Sequence, residues 1–230
     1  MKDYIKKISS ISKHIKQCSS WRYSKKSISY LKDITDSDRD YVYEFYCYLR
    51  VLEDLNNNYD LIYVPGIAPA KHVFPQNPAD KYGVPFFYIV NRSNPKNVFQ
   101  VCSGTFIKTK ITPYRAPDIS FQTEKSSLSD PTHKDVKMIF DAKRKRPASK
   151  SKKLSKGQYS YFATMIKELG LEGASKRKFK FANLSKFNGN CLITNNLAHS
   201  QQVLDNQFHN LKEVEFFDDK FDLKVINVIG

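Results

Sequence analysis

Apolar residues recur at helical spacing over residues 1–19, where Tyr4, Ile5, Ile8, Ile11 and Ile15 are separated by lysines. This pattern predicts an amphipathic N-terminal helix. A second, stronger helix is expected from about Ser37, with Asp36 or Ser37 as cap, to Leu55. Tyr41, Phe45, Tyr48, Leu49, Leu52 and Leu55 fall along one side of it. The rhythm then changes. YDLIYV stops at Pro65-Gly66, FFYIV is broken at Asn94-Pro95, and VFQVCSGTFIK reads as a strand pair or as one strand bulged at Gly104. ISFQ alternates apolar with polar positions, and VKMIFDAK is a short run rich in β-branched and aromatic residues. KGQYSYFATMIKELG returns to helical spacing, with Tyr161, Phe162, Met165, Ile166 and Leu169 inward and Gly170 as stop. RKFKFA and NCLITNN predict strands, SQQVLDNQFHNL a helix, and VEFFD and LKVINVI late strands. Helices alternating with strands in this order predict a mixed α/β sheet.

Composition narrows the class. At 230 residues, 40% of them hydrophobic, the chain is long enough for one globular domain with a sizeable core. The net charge of +15 calls for an anionic partner, most simply nucleic acid. No apolar run is long enough to cross a membrane, the N-terminus is too polar for a secretory signal, and no P-loop or GxGxxG motif points to a nucleotide cofactor. Cys18, Cys47, Cys102 and Cys191 are scattered with no CxxC pair, which argues against a zinc site and fits a reducing cytoplasm.

The chemistry concentrates between Ala116 and Lys143. A hairpin joining ISFQ to VKMIFDAK brings Asp118, after Pro117, close to Asp141, with Lys143 on the same strand face as Asp141. Two carboxylates this close repel unless a cation lies between them, and hard divalent cations such as Mg²⁺ or Mn²⁺ choose oxygen ligands of this kind. Directly after Lys143 the chain is densely basic, with Arg144, Lys145, Arg146, Lys150, Lys152, Lys153 and Lys156. Small and polar residues between them predict a loop able to follow a phosphate backbone. Upstream, Glu44 stands within an apolar helix, and a carboxylate in that setting needs a partner.

Pro117-Asp118 followed by Asp141-Ala142-Lys143 resembles the PD-(D/E)XK nuclease superfamily, over about residues 36–218. The resemblance implies a restriction-endonuclease-like fold, in which a mixed central sheet is flanked by helices. It implies a Mg²⁺-dependent DNA endonuclease, with Mn²⁺ as a substitute, that hydrolyses phosphodiester bonds to leave a 5′-phosphate and a 3′-hydroxyl. Asp118, Asp141 and the Ala142 carbonyl would then bind metal, Lys143 would position the attacking water, and Glu44 would assist at the metal. Gln158, early in the helix after the DxK strand, would orient the site. On this reading residues 1–35 form an N-terminal helix and connector, and residues 36–230 the nuclease domain, with an inserted hairpin or loop region over about 65–112. A double-strand cut from one site per chain implies a homodimer or a larger nuclease complex. Restriction or another anti-phage defence is the expected setting, with transposon-end cleavage or repair as alternatives. A basic nucleic-acid-binding module without chemistry and an RNA-cleaving enzyme are the competing functions.

Overall fold

The computed structural model describes residues 2–21, 39–67, 74–75, 77–144, 155–172, 179–184, 189–194, 212–215 and 225–227. Three helices stand among them: α1 (Lys2–Cys18), α2 (Arg39–Leu55) and α3 (Lys156–Glu168). The strands are β1 (Tyr59–Val64), β2 (Phe86–Asn91), β3 (Val98–Ser103), β4 (Ile119–Thr123), β5 (Val136–Lys143), β6 (Cys191–Thr194), β7 (Lys212–Glu215) and β8 (Val225–Asn227). They form one mixed sheet in chain order. β1 to β5 are antiparallel neighbours, β5, β6 and β7 run parallel, and β7 pairs antiparallel with β8. The parallel step from β5 to β6 needs a crossover, which contains α3. The expected helix over SQQVLDNQFHNL lies outside the described residues.

Alternation along the strands divides two cores between the faces of the sheet. Phe121, Met138, Phe140, Ala142 and Ile193 join the core beneath α1 and α2. Val136, Ile139 and Leu192 pack instead with Tyr159, Phe162, Met165 and Leu169 of α3. A register shift at Phe121/Gln122 in the β4–β5 ladder lets Val136 and Met138 serve opposite faces. β3 ends at Ser103 because Gly104, at φ +55°, turns the chain out of the ladder. The following residues keep only isolated bridges at Thr105, Ile107 and Lys108. Residues 86–103, within the stretch expected as an insertion, supply β2 and β3 of the same sheet.

α2 has more than the single apolar side expected of it. Val42, Tyr43, Cys47 and Val51 are buried together with Phe45, Tyr48, Leu49 and Leu52. The reason is that α2 lies between two partners. On one side Tyr4 of α1 sits edge-on to Tyr43 and Tyr46, with ring centroids 5.8 and 5.0 Å apart. On the other side the Tyr48 hydroxyl donates to the Val101 carbonyl of β3 at 3.0 Å.

Two other expectations are corrected. Tyr161 is 46% exposed, and Tyr159 takes the inward position on α3. The FKF segment is not a strand: Phe179 and Phe181 lie in irregular backbone yet are buried. The buried Asp54 carboxylate at the end of α2 accepts the backbone N–H groups of Ala182, Asn183 and Leu184, fixing this segment without a ladder. Phe179 then packs on Phe121 and Phe99, at 4.6 and 4.9 Å between ring centroids.

Phe121 is fully buried and also meets Phe140 at 5.3 Å, so it links the β4–β5 hairpin to the aromatic core. Phe121→Ala leaves a cavity that rigid strands cannot close, and we expect a loss of about 3–5 kcal/mol. A drop in the urea midpoint with an unchanged m-value is the expected record of that loss.

Candidate active site

The site is built at one end of the sheet by the β4–β5 hairpin. Ile119 pairs with Phe140, and the next step of the same antiparallel register sets Asp118 across from Asp141. The Asp118 carbonyl accepts the Gly104 N–H at 3.1 Å, which ties this end of β4 to the turn after β3. The Asp118 carboxylate folds toward β5, where Oδ2 accepts the backbone N–H of Ala142 at 2.6 Å. Lys143 Nζ lies 2.7 Å from Asp141 Oδ2 and 3.5 Å from Asp118 Oδ2. The ammonium therefore stands as the cation that two neighbouring carboxylates require.

Electrostatics at the site are strained toward neutralisation. The Asp141 side chain is 3% exposed, and its Oδ2 has the ion pair to Lys143 but no hydrogen bond of normal geometry. Burial first, and the Asp118 charge second, push the Asp141 carboxyl well above the usual range, with Lys143 opposing them. Glu44 is pushed up to about 9 by burial and then by Asp118, again against the pull of Lys143. For Lys143, burial alone would lower the pKa, but Asp118 and Asp141 outweigh it and hold the ammonium charged.

Glu44 reaches this place from α2. With Asp118 it lines a cavity of about 30 Å³ whose other walls include Tyr41, Asn77, Ser103 and Pro78. That is room for one water or ion-sized species. Glu44 of α2, Asp118 immediately before β4, and Asp141 and Lys143 of β5 are thus brought together, and the Ala142 backbone lies beside them. Among the described residues no three His, Cys, Asp or Glu side chains are gathered as a ready-made metal cage. The donor set is nonetheless one of hard oxygens, and carboxyl pKa values raised despite the Lys143 ion pair favour added positive charge.

Two expected participants are placed elsewhere. The Gln158 side-chain oxygen accepts from Ser155 N at 2.9 Å and Ser155 Oγ at 3.2 Å, while Gln158 N donates to Ser155 Oγ. This capping box uses the glutamine to start α3, and none of its hydrogen bonds goes to the carboxylates. Arg144 does not point into solvent. Its side chain is 6% exposed and its Nη1 lies 3.5 Å from Asp40 Oδ1, in the first turn of α2. Lys145, Arg146, Lys150, Lys152 and Lys153 lie outside the described residues, as does the side chain of Lys156 at the start of α3. Asp40 was not anticipated, although its position one turn before Glu44 is visible in the chain.

No family model, curated protein or solved structure matches this chain.

The raised pKa of Glu44 has a definite consequence for stability. A carboxyl held above its unfolded value favours the fold only at low pH, and the contribution is lost as pH rises toward the folded value. Glu44→Gln is therefore expected to match the wild type below about pH 4 and to exceed it progressively up to about pH 9. At pH 8 the gain should reach at least about 1 kcal/mol. Thermal melts across this range, without divalent metal, read it directly; a gain that is flat with pH contradicts the assignment.

Proposed function

We propose that this protein is a metal-dependent endonuclease acting on DNA. The observation that carries the reading is the convergence of Asp118, Asp141 and Lys143 on one strand-end, with Glu44 of α2 joining Asp118 around an ion-sized cavity. Supporting it, α2 precedes the antiparallel β3–β4–β5 run, and a helical crossover leads to the parallel β6, the succession a restriction-endonuclease-like core would need.

Asp118 and Asp141 would hold Mg²⁺ or Mn²⁺, with the Ala142 carbonyl and Glu44 as further oxygen donors. The bound ion would supply polarisation of a phosphate oxygen and a more acidic water. The chain's own contribution begins with charge balance. Asp40, Glu44, Asp118 and Asp141 face Lys143 and Arg144, an excess of two negative charges when all are ionised. Arg144, held against Asp40, keeps that first-turn carboxylate paired and away from the reacting centre. Lys143, charged and within reach of both aspartates, is placed to orient the attacking water and to stabilise charge building on the phosphate. Displacement of its ammonium from between the carboxylates by a stronger cation would free it for that task. Gln158 has no part in this scheme. A double-strand cut would need two chains, so a homodimer is the working arrangement.

Supercoiled plasmid incubated with Mg²⁺ should be nicked or linearised by the wild type. Asp141→Asn and Lys143→Ala should each reduce the rate at least about a hundredfold, the scale of losing a preorganised electrostatic contact in a transition state. Binding without cutting, unchanged by either substitution, would instead mark a nucleic-acid-binding module. Cutting that survives Asp141→Asn would place the chemistry elsewhere.

A further inference from the structure

The segment leading into Asp118 is held rigidly yet exposes apolar side chains. Ile107 and Arg115 exchange backbone hydrogen bonds of 2.8 and 2.9 Å and close a loop between them. At its tip Thr109 Oγ1 accepts the N–H groups of Ile111 and Thr112, at 3.1 and 2.8 Å, and donates to the Thr112 carbonyl at 2.6 Å. The Arg115 guanidinium forks onto Glu168 at the end of α3, and Thr112 Oγ1 donates to the same carboxylate at 3.2 Å. Glu168 is itself 5% exposed, so the loop is anchored in the body of the protein. On this fixed frame Ile111 is 70% exposed and Tyr114 51% exposed.

Burial would ordinarily be available to such residues in a flexible loop, which can fold its apolar groups inward. Here the frame holds them out. Their surroundings indicate the partner: Lys108 and Lys110 are exposed, Lys108 with only a long 3.9 Å surface pairing to Asp130, and residues 105–117 contain no acidic side chain. Protein–protein interfaces deplete lysine at their centres, whereas a nucleic acid pairs cations on its phosphates with flat or apolar groups against its bases. Tyr114 precedes Asp118 by four residues, so at full extension they are no more than about 14 Å apart, or about four nucleotide steps.

We propose that the loop from Thr109 to Arg115 is the base-contacting element for DNA beside the scissile phosphate, with Ile111 and Tyr114 against bases and Lys108 and Lys110 on phosphates. This rests on the nuclease reading for the identity of the substrate. Arg115 and Glu168 are positioning residues that hold the loop.

The test uses full-length Asp141→Asn protein without divalent metal, and fluorescence anisotropy of a labelled DNA duplex and of an RNA duplex of the same sequence. Ile111→Ser with Tyr114→Ala should weaken DNA binding about tenfold or more, the scale of a lost base contact. The slope of log Kd against log salt should be unchanged, because the phosphate-binding lysines remain. Ile62→Ser, an exposed substitution on β1, should change Kd less than about twofold. Should the double variant fail to fold, Ile111→Ser alone carries the same expectation. Unchanged DNA binding in the loop variant, an equal loss in Ile62→Ser, or tighter binding to RNA overturns this inference alone. Absence of DNA binding by the parent protein overturns both this and the nuclease reading. A loop effect without cleavage by the wild-type chain supports the loop and removes the nuclease.

Discussion

Everything at the Asp118–Asp141 end of the sheet depends on one electrostatic constraint: carboxylates forced together in a place where water is scarce. The hairpin register leaves Asp118 and Asp141 no choice of neighbour, and α2 adds Glu44 to the same field. Proximity of like charges and loss of solvent both oppose ionisation, and the single ammonium of Lys143 offsets only part of this. Such an arrangement weakens the fold above acidic pH. It is kept in place because the surrounding sheet and the aromatic core beneath α2 over-determine the backbone on which it stands.

That core explains how a short hairpin can bear the strain. Met138, Phe140 and Ala142 of β5 point into the aromatic layer while Asp141 and Lys143 point the other way, so the pleat alternates apolar anchorage with charge. The buried Asp54 carboxylate does a related job with a different solution. It meets three backbone N–H groups rather than other charges, and so fixes the 182–184 backbone. Two buried aspartates in one chain thus stand in opposite settings, and the difference lies in their neighbours.

Much of the fold and the heart of the site could be read from residue order. Strand alternation and a polar turn are local signals, so the β4–β5 hairpin and the meeting of Asp118, Asp141 and Lys143 followed from them. Glu44 was visible because a carboxylate interrupts an apolar helix. Where the reading went astray, the deciding contact was elsewhere in the chain or belonged to a competing local motif. Gln158 is claimed by Ser155, three residues before it, in a capping box that is itself a local pattern of the sequence. Arg144 is drawn inward by Asp40, more than a hundred residues away, which no local pattern could reveal. Phe179 and Phe181 alternate like a strand because they share one buried side, yet in place of a ladder the Lys180 backbone bonds to the Tyr59 and Asn58 side chains, and the Asp54 carboxylate takes the N–H groups that follow. Tyr161 keeps the helical spacing of a core residue but meets the Arg115 guanidinium at 5.5 Å on the surface.

The central claim is that the carboxylate group with its bridging lysine is a site for a divalent cation. Calorimetric titration with Mn²⁺ at neutral pH, in two buffers of different ionisation enthalpy, tests it most directly. Carboxyls held above their usual range must lose protons when a dication binds, so the account predicts saturable binding with proton release. Asp141→Asn should abolish the binding, and Glu44→Gln should reduce the protons released. Binding without proton release, or heats unaltered by Asp141→Asn, would contradict it.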